Sequence, residues 1–126
     1  MSTVSAYECR FADFPPSVVH ALTRAKARYS YLLDVRESYD NATFADISVR
    51  RIGSPVTSER MKRTAAYRGL PDIQAGQQVT VNGNTGVIVD GNDSANFDVL
   101  FTSGPWIGCT LNVHPGDMRL TEGAPR

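Results

Sequence analysis

Val79-Thr80-Val81-Asn82-Gly83-Asn84-Thr85-Gly86-Val87-Ile88-Val89 decides how the second half of this chain is read. Two short runs rich in β-branched residues flank Asn-Gly, and both of those residues tolerate the positive φ of a hairpin turn. The spacing predicts antiparallel strands but leaves two registers open. A two-residue turn pairs Val81 with Asn84, and a five-residue turn pairs it with Val87. Downstream, Asp90-Gly91-Asn92-Asp93-Ser94 reads as a polar loop. Phe97-Asp98-Val99-Leu100-Phe101 then makes a third strand with Phe97, Val99 and Phe101 on one face. Trp106-Ile107 and Thr110-Leu111-Asn112-Val113 add apolar material. His114-Pro115-Gly116-Asp117 forms a last turn that His114 caps or orders, before Met118-Arg119-Leu120 closes the sheet. Several short strands within so few residues must pair their edges to be stable, and a small barrel is the economical solution.

Toward the N-terminus the pattern reads as helical. Phe14-Pro15-Pro16-Ser17 is a stop-and-start signal with Ser17 as N-cap. After it, Val18, Leu22, Ala25, Tyr29 and Leu32 recur at helical spacing as far as Glu37 to Tyr39. Between Thr43 and Ile52, Ile47 and Val49 alternate with Ser48 and Arg50, which suggests a short strand. A second helix starts from Ser54 or Thr57 as cap and runs through Ser58 to Tyr67. Met61, Ala65 and Tyr67 face inward, and Gly69 stops it. The predicted organisation is a helical segment with a short strand over 1–72 and a barrel over 73–126.

The chain has 126 residues and is 41% hydrophobic, enough for a modest core. No run approaches the length of a membrane-spanning helix, and Met1 to Ala6 lacks the basic and apolar blocks of a signal peptide. A protein that stays in the cell that made it is expected. The formal net charge of zero conceals a split. From His20 to Arg68 there are ten basic residues against five acids, a net of +5, and from Gly69 onward two against six, a net of −4. Such asymmetry points to a basic face for an anionic partner or to acid-to-base contacts between halves or subunits; a solvated helix surface is the plainer reading. Arg50 and Arg51, with Arg60, Lys62, Arg63 and Arg68, are the candidate partner- or nucleic-acid-binding residues. Tyr67 and Trp106 are candidates for stacking a base, against the simpler reading as packing.

Catalytic signatures are missing. Cys9, His20, Cys109 and His114 form no close pair of the kind a structural zinc site requires. Asp90, Asn92 and Ser94 mimic the start of a calcium loop, but Ala95 stands where glycine is needed and Phe101 where glutamate is needed. Neither histidine belongs to a nucleophile motif, and the glycines spell neither a phosphate loop nor a dinucleotide fingerprint. Asn41-Ala42-Thr43 and Asn92-Asp93-Ser94 match glycosylation sequons and read as turn chemistry. The expectation is a protein that is not an enzyme, with no cofactor, metal or small-molecule substrate.

Gly76 to Ile88, with Val113-His114-Pro115-Gly116-Asp117-Met118-Arg119-Leu120, resembles the opening and closing of SH3-like barrels of the KOW and Tudor kind. The implied fold class is α+β, with N-terminal helices packed on a C-terminal small SH3-like antiparallel β-barrel. A second resemblance is carried by Arg24 to Tyr29, Val49-Arg50-Arg51, Arg63 to Gly69, Asn92 to Phe101 and Asn112 to Pro115. These stretches look like small proteins of tailed bacteriophages. That likeness implies a virion protein made in the bacterial host cytoplasm: a head–tail connector or capsid-associated component. Its partners would be other virion proteins, copies of itself or packaged DNA, with no membrane. A phage nucleic-acid- or polymerase-binding regulator is the alternative.

Overall fold

Tyr7, Cys9 and Phe11 alternate with Glu8 and Arg10, and this two-residue period places a strand where the helical reading has none. The computed structural model describes residues 3–121, so Met1, Ser2, Glu122 and Arg126 of the sequence reading lie outside the described residues. The chain divides into two compact units after Ser54, and the second helix lies in the second of them.

In the first unit β1 (Ser5–Phe11) is the central strand of a three-stranded antiparallel sheet, flanked by β2 (Ser17–Ala21) and β3 (Ile47–Gly53). Tyr7 pairs with Val19, and Cys9 with both Ser17 and Val49, so alternate residues of all three strands share a face. Helix α1 (Arg24–Arg36) connects the two edge strands and covers that face. Tyr7, Cys9, Ala21, Ile47 and Val49 meet Ala27, Tyr31 and Leu32 in one core. Thr23 caps the helix, its side chain accepting from the Lys26 N–H at 3.1 Å. Arg36 ties the far end to the following loop by donating to the Ala42 carbonyl at 2.9 Å.

In the second unit α2 (Glu59–Tyr67) precedes β4 (Gln78–Val81), β5 (Asn84–Gly91), β6 (Phe97–Phe101), β7 (Thr110–Val113) and β8 (Arg119–Leu120). Their order in the sheet is β7-β6-β5-β4-β8, antiparallel throughout. Val81 pairs with Asn84, so the shorter turn is the real one, and Asn82 and Gly83 take φ of 50° and 83°. Ser58 caps α2 through the Met61 N–H at 3.0 Å. Met61 and Ala65 pack with Val79, Ile88, Phe97, Val99 and Phe101. His114 caps a 3-10 turn over Pro115–Asp117, its Nδ1 accepting from Gly116 N at 2.8 Å.

The fold therefore departs from the expected class. The described chain is mostly β, with eight strands in two antiparallel sheets and only two short α-helices. N-terminal helices packed on a C-terminal barrel are not what it builds. The helix expected from Ser17 begins instead after Thr23, because the β-branched pair Val18-Val19 extends along β1. Tyr29, placed on the apolar stripe, is 54% exposed, and Tyr67, expected to face inward, is 76% exposed. The five-stranded sheet is not a closed barrel. Its edges are β7 and the two-residue β8, and these pair inward with β6 and β4 rather than with each other.

Cys9 and Cys109 are both free, Cys9 buried and Cys109 exposed. Burial pushes the Cys9 thiol up to about 11, against a smaller opposing effect of Arg28.

The approach of α2 to its sheet depends on Gly91. A Cβ there would lie 2.5 Å from Thr64 Oγ1 and 3.0 Å from the Met61 Cα, so relief requires the helix itself to move. Gly91→Ala is expected to cost about 2 kcal/mol by overpacking. Chemical denaturation monitored at Trp106 would read it as a lower midpoint with an unchanged slope.

Candidate functional site

The six candidate cations fall on two surfaces. Arg50 and Arg51 lie on β3 in the first unit, and Arg60, Lys62, Arg63 and Arg68 lie on or beside α2 in the second. Arg50 pairs with Glu8 across the sheet at 3.2 Å, and Arg51 Nε donates to Ser5 Oγ at 3.2 Å. Arg60 donates to Asp90 Oδ2 at 2.8 Å, a contact that holds its guanidinium more firmly charged. Lys62 pairs with Glu59 at 3.0 Å, one helical turn away, and draws that carboxyl below its ordinary range.

Arg68 is bound most extensively. Its Nε donates to the Ala95 carbonyl at 2.6 Å and its Nη2 to Asn96 Oδ1 at 2.8 Å, while the guanidinium sits 5.8 Å from the Tyr67 ring centroid. Those bonds hold the β5–β6 loop. Within the loop, Asn92 Oδ1 accepts from Ser94 N and Asn96 N, and Asn92 Nδ2 donates to Asp98. Asx-turn chemistry thus accounts for the calcium-like spacing. Arg63 makes no hydrogen bond or ion pair among the described residues and is exposed on α2.

A different surface gathers around Trp106. The β6–β7 connection is held at its base by Phe101 and Cys109, with Phe101 N donating to Cys109 O at 2.9 Å and Gly108 N to Phe101 O at 2.8 Å. Gly104 and Gly108 take φ of 82° and 84°, values favoured by glycine alone. Thr85 on β5 secures the loop from beneath, donating its N–H to Ser103 Oγ at 2.9 Å and accepting at its carbonyl from Thr102 N at 2.9 Å. This frame presents Trp106 and Ile107 at 51% and 52% exposure. Beside them a cleft of about 240 Å3 has Val81, Phe101 and Val113 toward the core and Asn82, Asn112 and His114 among its polar lining.

Sequence reasoning set Trp106 between stacking a base and packing, with packing the simpler reading. The nearby signal was the bracketing Gly104 and Gly108, which mark an exposed turn rather than a buried run. Among the described residues no group of three or more His, Cys, Asp or Glu side chains is placed to hold a metal ion. Comparison with known proteins finds no matching family model, no matching curated protein and no matching solved structure.

The contrast between Arg68 and Arg63 is measurable. Arg68→Ala removes two charge-assisted bonds and is expected to lower the unfolding free energy by about 2 kcal/mol, whereas Arg63→Ala changes it by less than about 0.5 kcal/mol. Urea titration of the two variants checks both values. Asp98 carries a pH signature. Burial raises its carboxyl, the Asn92 hydrogen bond opposes the rise, and the charge of Asp90 adds to it. A raised folded-state value favours the protonated form, so this group's contribution is present below the unfolded pKa and is lost as pH rises through the folded one. Asp98→Asn is therefore expected to melt higher than the parent at pH 7, with the difference closing below about pH 4. Thermal melts of the pair across that range check it.

Proposed function

We propose that this chain is a bacteriophage virion assembly protein, a connector or capsid-associated component that works by binding other proteins. The observation that carries the reading is the Trp106–Ile107 tip. Two large apolar side chains stand half-exposed on a loop whose backbone is already fixed, beside a cleft with apolar residues toward the core and a polar lining. Solvent-exposed tryptophan on a preorganised frame suits an interface anchor, because little conformational entropy is lost when it is covered. The resemblance to small tailed-phage proteins supplies the setting. The engagement of Arg50, Arg60 and Lys62 in ion pairs supports a protein partner over phosphate, since those cations already have counter-charges.

A nucleic-acid- or polymerase-binding regulator is the second reading. It is favoured by Arg63 and Tyr67, four residues apart on α2 and both exposed.

The test is incorporation into particles. Mass spectrometry of purified virions is expected to detect the protein, and a Trp106→Ala, Ile107→Asp variant that still folds is expected to be depleted from them at least tenfold. Absence of the parent protein from virions would remove the assembly reading. Tight, salt-sensitive binding of duplex DNA that fails in Arg63→Ala would promote the regulator.

A further inference from the structure

The first unit carries a groove whose chemistry differs from that of the Trp106 cleft. Phe11, at the end of β1, Phe14, in the β1–β2 turn, and Tyr39, beyond α1, form a three-ring cluster. The centroids are 5.9 Å apart for Phe11–Phe14, 5.4 Å for Phe11–Tyr39 and 5.6 Å for Phe14–Tyr39. Burial does not explain the cluster, because Phe14 and Tyr39 remain 44% and 47% exposed. Their placement is fixed by backbone: Phe14 N donates to Phe11 O at 3.1 Å across a turn in which Ala12 takes φ of 50°. Against the rings opens a groove of about 400 Å3 lined by Phe11, Ala12, Tyr39, Asn41, Ala42 and Asp46.

The charge around this groove has the opposite sign to the region's average. From Glu37 to Asp46 the chain carries Glu37, Asp40 and Asp46 and no lysine or arginine, and Asp13 adds a carboxylate beside Phe14. All four are exposed. Two cations are near in sequence: Arg36, whose Nε is bonded to the Ala42 carbonyl, and exposed Arg10, which precedes Phe11 and alternates with it along β1. Asp46 accepts from Thr43 N at 2.8 Å and from Thr43 Oγ1 at 3.3 Å, both through Oδ2, which leaves Oδ1 without a hydrogen bond among the described residues.

An anionic occupant would meet Asp46 in the lining itself, with Asp13 and Asp40 next in sequence to the lining residues Ala12 and Tyr39. A purely apolar one would strip water from Asp46 without replacing it. A side chain with an aliphatic stem and a cationic head satisfies both halves: the stem lies on the rings and the head reaches the carboxylates. We propose that this face of the first unit docks an arginine- or lysine-bearing segment of a partner protein. Charge complementarity and the ring faces select the occupant together. The inference stands apart from the Trp106 reading and shares no residue with it.

The probe is a short fluorescent peptide alternating glycine and arginine, compared with the same peptide carrying citrulline for arginine. Anisotropy at low salt is expected to show saturable binding of the arginine peptide and at least tenfold weaker binding of the citrulline one. Amide shift changes in the parent protein should centre on Phe14, Tyr39 and Asp46. Phe14→Ala combined with Tyr39→Ala should weaken binding about tenfold, and Asp13→Asn combined with Asp40→Asn about as much. Equal binding of the two peptides, unchanged affinity in a folded double variant, or shift changes centred elsewhere would each overturn the proposal. The shift map on the parent protein reads the site even if a variant fails to fold.

Discussion

Each sheet in this protein is too small to bury a core by itself, and each has one helix to complete it. How closely that helix can approach governs everything packed beneath it. In the second unit the missing Cβ at Gly91 lets the α2 backbone lie against β5, which brings Met61 and Ala65 into the same core as Ile88 and Phe97. In the first unit Ala27, fully buried, gives α1 a similar closeness to the sheet that carries Cys9. Both helices are short and capped by one hydroxyl, Thr23 or Ser58, so their stability comes from the face they cover more than from their own length.

What the sequence disclosed was local chemistry with a short reach. Asn82-Gly83 announced a hairpin, Gly69 marked the end of α2 although its cap is Ser58 rather than Ser54 or Thr57, and Phe97, Val99 and Phe101 shared a face as their alternation required. The register at Val81 stayed open because both turn lengths satisfy the same residues, and only cross-strand pairing separates them. The N-terminal third was misread for a specific reason. Val18, Leu22, Ala25, Tyr29 and Leu32 fit a helical period, yet Val18 and Val19 are β-branched and Thr23 is the better cap. The alternation of Tyr7, Cys9 and Phe11 in β1 was there to be seen and outweighed neither the prolines nor the helical stripe.

The candidate cations show where sequence reading reaches its end. Arg60 and Arg63 stand three apart on one helix and look alike in sequence, but Arg60 meets Asp90 thirty residues away while Arg63 makes no ion pair among the described residues. Long-range partners are not encoded in spacing, so a count of basic residues overstated the free positive surface. The same blindness hid the ring cluster. Phe11, Phe14 and Tyr39 come from two distant segments, and the acids beside Tyr39 vanish in the net charge of +5 counted over His20 to Arg68.

Arg68 has a further consequence for motion. It closes the C-terminal end of α2 and at the same time grips the carbonyl of Ala95 and the side chain of Asn96 at the tip of the β5–β6 hairpin. The last turn of the helix cannot unravel without releasing that tip, and the tip cannot swing out without uncapping the helix. Amide protons in the two segments should therefore exchange with solvent as one cooperative group, on a shared clock set by the lifetime of a single guanidinium clasp.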